Sequence, residues 1–294
     1  MGLLPNVILT AIFIFRPKLS QNLKISFQKH IQQQSRDVSM RLSTARKIIK
    51  TMNSDYERIA FAFSETRNRI WPEVRSILEN YVEPGQTLLE VGCGNGRLWP
   101  LIAERDVEYF GVDRVKSFIE SCQEKYCGTN DNPRFEVADA LDLPFHQPRF
   151  DVVLLFAVLN HFPSHEMRLQ VLENIFHCLK PGGFLLMTNW NLWRFTLKEK
   201  SIWHFWREKQ HLSVQEFEKR YLVSPSEYGF KDIMTHWGEK EKPGHLYYYA
   251  FTLKELRSLV KDAGFQNIVS YYAKNGQRSH VWSGHNSIIM ATKN

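Results

Sequence analysis

The stretch Thr87 to Gly96, TLLEVGCGNG, constrains the fold more than any other part of the chain. An apolar run from Leu88 to Val91, carrying an acid at Glu90, breaks at once into three alternating glycines, Gly92, Gly94 and Gly96. A buried strand that ends in such a loop brings backbone N–H groups close to a ligand, because no Cβ blocks the approach and glycine accepts positive φ. The loop is not of the phosphate-binding kind, since no Gly-Lys-Ser/Thr follows it and the spacing is GxGxG rather than GxGxxG. An acid just before the glycines repels a pyrophosphate. It suits a ligand with a cationic amino-acid end and a ribose, and S-adenosylmethionine has both.

The rest of the chain repeats the same rhythm. Pro84-Gly85 turns into the first strand, and the glycine loop leads into a helix from about Arg97 to Arg105. A second apolar strand, Tyr109 to Val112, ends in Asp113, seventeen residues after Gly96. In a right-handed βαβ unit that acid lies at the carboxyl end of the neighbouring strand, within reach of both hydroxyls of an adenosine ribose. A helix over Val115–Tyr126 precedes strand three, Arg134 to Val137, which ends in Ala138-Asp139-Ala140 and places another acid at the same rim. Asp139 can accept from an adenine amino group, and Phe145 in the following loop either stacks on a base or plugs the core. Strand four, Phe150 to Phe156, is the longest apolar run, which predicts a central strand covered on both faces. A helix over Ser164–Leu179 stops at Lys180-Pro181-Gly182-Gly183, and strand five follows from Phe184 to Thr188. Five alternations of strand and helix predict an α/β, Rossmann-like, parallel doubly wound sheet.

Two segments stand apart. Residues 1–51 hold nine Lys/Arg and one acid, which leaves 29 basic and 30 acidic residues in 52–294, so the net charge of +7 belongs to the N-terminal extension. Its apolar run Leu3–Phe15 is shorter than the roughly 20 residues that span a bilayer, and no transmembrane segment is predicted. The extension reads as a flexible or helical addition, as upstream sequence with initiation at Met40 or Met52, or as a targeting presequence. Ser54 to Val82 then spaces its apolar residues as two helices joined near Arg69–Pro72, with Ser54 as a cap. The second segment, about residues 190–249, is crowded with aromatics among charges of both signs, and reads as a folded, partly helical insertion over the carboxyl rim of the sheet. A helix over Thr252–Ala263 and strands Phe265–Tyr272 and Asn286–Thr292 close a single domain, 52–294. Cys93, Cys122, Cys127 and Cys178 show no metal-ligand spacing and read as buried reduced thiols of a cytoplasmic protein.

The set Glu90-Val91-Gly92-Cys93-Gly94-Asn95-Gly96, Asp113, Ala138-Asp139, Phe150-Asp151 and Leu179-Lys180-Pro181-Gly182-Gly183 resembles the class I S-adenosylmethionine-dependent methyltransferases, over roughly residues 53–294. That resemblance implies a seven-stranded sheet with S-adenosylmethionine as cofactor and no metal. It places Glu90, Gly92 and Gly94 at the methionine end, Asp113 at the ribose and Asp139 with Ala140 at the adenine, with Gly96, Arg114 and Phe156 completing the cofactor set. Tyr56-Glu57-Arg58-Ile59-Ala60, Phe63-Ser64-Glu65-Thr66-Arg67 and Trp71-Pro72 are similar to the N-terminal signature of the tRNA wobble-uridine carboxymethyl methyltransferases. Ala157-Val158 with His161, Asp232 with Trp237, and Tyr248 with Phe251 match later markers of that family. Asn160 stands where the family often has a second His, and Leu246 and Tyr249 stand where it has Arg and His.

The family reaction esterifies a carboxymethyl group. A carboxylate is ionised near pH 7 and needs no general base, only a cation to position it and in-line approach to a sulfonium methyl. Arg67 is the expected cation and His161 the expected contact at the acceptor, with Trp71, Asp232, Trp237 and Tyr248 as further substrate contacts. For a hydroxyl or amine acceptor His161 is the natural base. Arg67, Arg69, Arg97, Arg114 and Lys116, with the basic residues of 190–249 and their interleaved aromatics, are candidate nucleic-acid contacts, although most of those aromatics read rather as the core of a lid. The resemblance implies tRNA and a small zinc-binding activator protein as partners. A small-molecule methyltransferase and an inactive cofactor-binding, RNA-associated subunit are the competing readings.

Overall fold

The computed structural model describes residues 40–66, 69–126, 128, 133–194, 202–238 and 243–294. Helix α1 (Leu42–Glu65) and helix α2 (Pro72–Tyr81) precede the sheet. Strands β1 (Thr87–Val91), β2 (Glu108–Asp113), β3 (Arg134–Val137), β4 (Phe150–Phe156) and β5 (Leu179–Trp190) follow. Helices α3 (Trp99–Ile102), α4 (Lys116–Tyr126) and α5 (His165–Cys178) lie between them. After β5 come α6 (Ile202–His211), α7 (Val214–Tyr221) and the antiparallel pair β6 (Asp232–Trp237) and β7 (Gly244–Tyr249). Helix α8 (Leu253–Asp262) and strands β8 (Gln266–Lys274), β9 (Gln277–Ser279) and β10 (Asn286–Thr292) finish the chain.

The main sheet has the order β3-β2-β1-β4-β5-β10-β8-β9. Strands β1 to β5 pair in parallel and β10 runs antiparallel to both β5 and β8. Seven strands have the predicted arrangement, and β9 adds a short eighth at the edge, folded back on β8 through Asn275 and Gly276, both at positive φ. β4 is central and buried on both faces, as its unbroken hydrophobicity requires. Chain order reverses between β1 and β4, and the carboxyl ends of β1, β2, β3 and β4 meet there in one crevice.

Two local readings differ, and a third, left open between two alternatives, is decided. The strand after α5 begins at Leu179 rather than Phe184, because Leu179 is already extended and pairs with Phe150. Lys180-Pro181-Gly182-Gly183 is therefore an irregular start to β5, with a register shift opposite Phe150/Val152. Ser54 is no cap; it lies inside α1 and its hydroxyl donates to the Lys50 carbonyl at 3.2 Å. Phe145 plugs the core, its ring 4.9 Å from Phe150 and 6.2 Å from Phe110.

Helix α1 also runs straight through the boundary drawn after residue 51. Ala45, Ile48, Ile49 and Met52 are buried in the same core as Leu89, Val153 and Met187. On one side α1 is tied to the insertion: Thr44 donates to Glu227 at 2.8 Å, Lys47 to the Leu222 carbonyl at 3.0 Å, and His245 donates its backbone N–H and Nδ1–H to Asp55, both at 2.8 Å. On the other side Glu57 accepts from the N–H groups of Lys116 and Ser117 at 2.6 and 3.1 Å, capping the amino end of α4. Residues 42–51 thus belong to the folded body, while 1–39 lie outside the described residues. Cys93, Cys122 and Cys178 are free buried thiols and Cys127 lies outside the described residues. Truncation of Ile48 to alanine should destabilise the protein by about 2–4 kcal/mol in urea titrations. A change under about 0.5 kcal/mol, the usual size for a surface position, would return these residues to a dispensable extension.

Candidate functional site

The glycine loop is held by the end of β2. The Val112 carbonyl accepts from Gly92 and Cys93 N–H at 2.7 and 3.0 Å, and the Asp113 carboxylate accepts from Gly94 N–H at 3.0 Å and Val115 N–H at 2.9 Å. Gly92, Gly94 and Gly96 all sit at positive φ, +76°, +53° and +66°. Their reasons differ. A Cβ on Gly92 would lie 2.3 Å from a Val158 methyl, so the loop after β4 rests directly on it. A Cβ on Gly94 would project into open space, where it would narrow the cradle. Gly96 faces away from the crevice: its absent Cβ admits Cys122 Sγ, Tyr126 and Phe135 at 2.9 to 3.3 Å, which lets α4 and β3 pack against the loop.

The crevice is a cavity of about 430 Å³, within the size range of small-ligand sites. Glu90, Gly92, Gly94, Asp113, Arg114, Asp139, Ala140 and Phe156 line one side of it. Asp139 accepts from Leu141 N–H at 3.0 Å, and Arg114 lies 3.8 Å from Asp139 and donates to Asn53 of α1 at 3.1 Å. The other side is aromatic: Tyr56, Phe63, Trp71, Trp190 and Tyr248, with His161 among them. Trp71 meets Trp190 edge-to-face at 5.9 Å, Trp190 meets Tyr248 at 5.9 Å, and Tyr248 meets His161 at 4.8 Å. Helix α1 and the insertion therefore roof an acid-lined floor with an aromatic wall.

Of the residues expected from the sequence, the cavity brings together Glu90, Gly92, Gly94, Asp113, Arg114, Asp139, Ala140, Phe156, His161, Trp71 and Tyr248. Gly96, Asp232 and Trp237 stand outside its lining. Asp232 is buried at the start of β6, where the Tyr247 hydroxyl donates to it and Gly229 N–H donates at 2.7 Å. Trp237 packs behind the wall on Phe63, ring to ring at 5.3 Å. Arg67 lies outside the described residues. Arg69 and Arg97, expected from the sequence as nucleic-acid contacts, line the cavity, and the Arg97 guanidinium lies 5.3 Å from the Trp71 ring. Among the described residues no group of three or more His, Cys, Asp or Glu is placed to hold a metal ion, and no helix is long and apolar enough to cross a membrane.

His161 Nδ1 lies 2.9 Å from the Tyr247 carbonyl oxygen. A carbonyl only accepts, so Nδ1 carries the proton and the neutral ring has its lone pair at Nε2. Asn160, next to it, is a clamp: it donates to the Tyr249 carbonyl at 2.8 Å and accepts from Trp190 N–H at 3.0 Å. Burial raises the Asp113 carboxyl above its usual range, against the opposing N–H groups of Val115 and Gly94. Burial pushes Glu90 up to about 7, with the Tyr109 hydroxyl donating to it at 2.5 Å and the Arg97 charge opposing the rise.

Residues 88–183 match the family model described as a methyltransferase domain. The chain is similar to the tRNA (carboxymethyluridine(34)-5-O)-methyltransferase alkbh8 of Xenopus tropicalis, 34% identical over 148 residues that make up 50% of this chain and 22% of that protein. It is also 34% identical over 139 residues to the tRNA (carboxymethyluridine(34)-5-O)-methyltransferase of Saccharomyces cerevisiae, 47% of either chain. The matched part is thus under half the length of either relative. Among solved structures, a SAM-dependent methyltransferase of Methanosarcina mazei matches 74% of this chain and 96% of its own, with TM-score 0.52 and 22% identity. A chain from the complex between the Haloferax volcanii Trm112 methyltransferase activator and its methyltransferase matches 81% and 97%, with TM-score 0.53 and 17% identity. The fold is that of the class I methyltransferases, and residues 88–183 within it are similar to a methyltransferase domain.

The raised Glu90 carboxyl makes stability depend on pH. The folded protein holds this proton more tightly than the unfolded chain, so the stabilisation is fully present below 4.5 and is lost as pH rises through about 7. Between about pH 5 and pH 8 the wild type should lose more unfolding free energy than Glu90→Gln in urea titrations. Parallel curves for the two proteins would contradict the assignment.

Proposed function

We propose that this chain transfers a methyl group from S-adenosylmethionine to the carboxymethyl group of a modified wobble uridine in tRNA. The observation that carries the reading is one cavity with three acids at successive strand ends on one side and an aromatic wall on the other. The residues fit the cofactor. Gly94 leaves open space where a Cβ would stand, Asp113 keeps lone pairs for two ribose hydroxyls, Asp139 suits an adenine amino group, and Glu90 suits an ammonium. When bound, S-adenosylmethionine supplies an electrophilic methyl on a sulfonium.

The chain's own residues set the rest. Arg97, half-buried beside Glu90 and over Trp71, and Arg69 at the mouth give the cavity positive charge for a carboxylate, together with the Arg67 expected for that role. A carboxylate held by arginine is already the nucleophile and needs no proton removed. The aromatic wall offers flat surfaces on which an unstacked base can lie. His161, with its lone pair at Nε2, accepts from an N–H or O–H of the acceptor, such as the ring N–H of a uridine. It meets a carboxylate only as imidazolium. The tRNA assignment rests on the similarity to tRNA (carboxymethyluridine(34)-5-O)-methyltransferases. By the same resemblance the protein acts in the cytoplasm with a small zinc-binding activator, as the Haloferax volcanii neighbour is paired with Trm112.

Two measurements test this. Calorimetric binding of S-adenosylhomocysteine should weaken at least about tenfold in Asp113→Ala, the loss of one charged hydrogen-bonding partner. Unaltered affinity would remove the cofactor assignment. Mass spectrometry of tRNA nucleosides from a deletion strain should show the methyl ester of carboxymethyluridine replaced by the free acid. An unchanged nucleoside profile, with methyl transfer to a small metabolite by the purified protein, would favour the small-molecule reading instead.

A further inference from the structure

Segment 160–163 carries His161 into the cavity, and a buried polar network on three elements holds it. Arg168, in the first turn of α5, is 4% exposed. Its Nε donates to the Phe162 carbonyl at 2.7 Å and its Nη2 to the Pro163 carbonyl at 2.9 Å. These are the two residues that follow His161. The same Nη2 lies 3.4 Å from the Tyr247 hydroxyl, and the guanidinium lies 3.4 Å from the centre of the Tyr249 ring. The Tyr247 hydroxyl donates to Asp232, and the Tyr247 carbonyl receives the His161 Nδ1 proton. Tyr247 is therefore held at its hydroxyl by both charges and holds His161 with its carbonyl.

Each charge here is costly to bury alone, and the Tyr247 hydroxyl meets both of them. Asp232 is not among the residues that line the cavity. Its carboxylate is spent on Tyr247 and the Gly229 N–H. The network reaches His161 twice, through the backbone carbonyls after it and through its own ring nitrogen. The Tyr247 carbonyl, 2.9 Å from His161 Nδ1, is an acceptor that favours the proton on that nitrogen.

We propose that Asp232 and Arg168, joined through the Tyr247 hydroxyl, are positioning residues that fix the place and tautomer of His161 at the acceptor side of the cavity. This rests on the reading of the cavity as a methyl-transfer site, but the tautomer can be measured without any acceptor. Tyr247→Phe removes only the hydroxyl, leaving the carbonyl and both charges, and Asp232→Asn keeps shape while removing charge.

The test uses the full-length chain with ¹⁵N-labelled histidine and bound S-adenosylhomocysteine, the His161 signals being assigned by their loss in His161→Gln. The wild type should show one tautomer with the proton on Nδ1. In Tyr247→Phe the signals should shift toward a mixture of tautomers. The rate of methyl transfer should fall roughly tenfold, a loss typical of a displaced active-site contact. The affinity for S-adenosylhomocysteine should stay within about twofold, since the cofactor side is untouched. Asp232→Asn should do the same and lower kcat rather than raise KM for the acceptor. Unchanged His161 signals in folded Tyr247→Phe would overturn the proposal, as would an Asp232→Asn variant in which only the acceptor KM rises. If Asp232→Asn fails to fold because Arg168 is left uncompensated, Tyr247→Phe alone decides. A wild type that methylates no tRNA would end the substrate reading, and the tautomer comparison would still decide the clamp.

Discussion

The end of β2 governs the site. Its last two residues take three N–H groups of the glycine loop, two on the Val112 carbonyl and one on the Asp113 carboxylate. That fixes the loop in a left-handed path that only glycine follows at low cost, and it brings the acid of β2 and the acid of β1 to one wall. The parallel pairing of β1 with β2 and β4 then sets the distance between Glu90, Asp113 and the segment after β4, because all three strands end at the same level. Gly92 locks the last of these in place, since Val158 occupies the volume a Cβ would need.

Around this rigid floor the chain builds a roof from parts distant in sequence. Helix α1 reaches both the insertion and α4 through Asp55, Glu57, Thr44 and Lys47, so Tyr56 and Phe63 on the same helix are held over the cavity. The β6–β7 pair brings Tyr248 to the wall and Tyr247 to His161. The division of labour is chemical. The floor is lined by acids at strand ends and the roof by aromatic rings.

How far this was legible follows the range of the interactions. The floor was legible because each of its residues is a local event: an acid at a strand end, a glycine where the backbone must turn, an apolar run too continuous to be half exposed. Asp113 needed only the length of one βαβ crossover. The roof was not legible in the same way, since an aromatic-rich segment reads alike whether its rings fill a core or line a cavity. Of that segment Trp190 and Tyr248 line the cavity, while Phe205, Phe217 and Tyr221 pack on one another. Asp232 shows the limit most clearly, because a buried acid spent on a tyrosine and an acid that meets a ligand look the same in one dimension. Gly96 shows it too: its place in the motif suggests ligand contact, and the fold uses it to let α4 approach. The basic charge that ends in α1 concealed four core positions, because apolar spacing beginning at Ala45 was masked by its neighbours Arg46, Lys47 and Lys50.

The central claim is that the acids at the carboxyl ends of β1, β2 and β3 hold one nucleoside cofactor beneath the aromatic wall. A crystal structure of the full chain with S-adenosylhomocysteine tests it most directly. The account predicts both ribose hydroxyls on the Asp113 carboxylate, the adenine beside Asp139 and Ala140, and the amino-acid end beside Glu90. A ligand bound elsewhere, or in the cavity with its ribose away from Asp113, would contradict it.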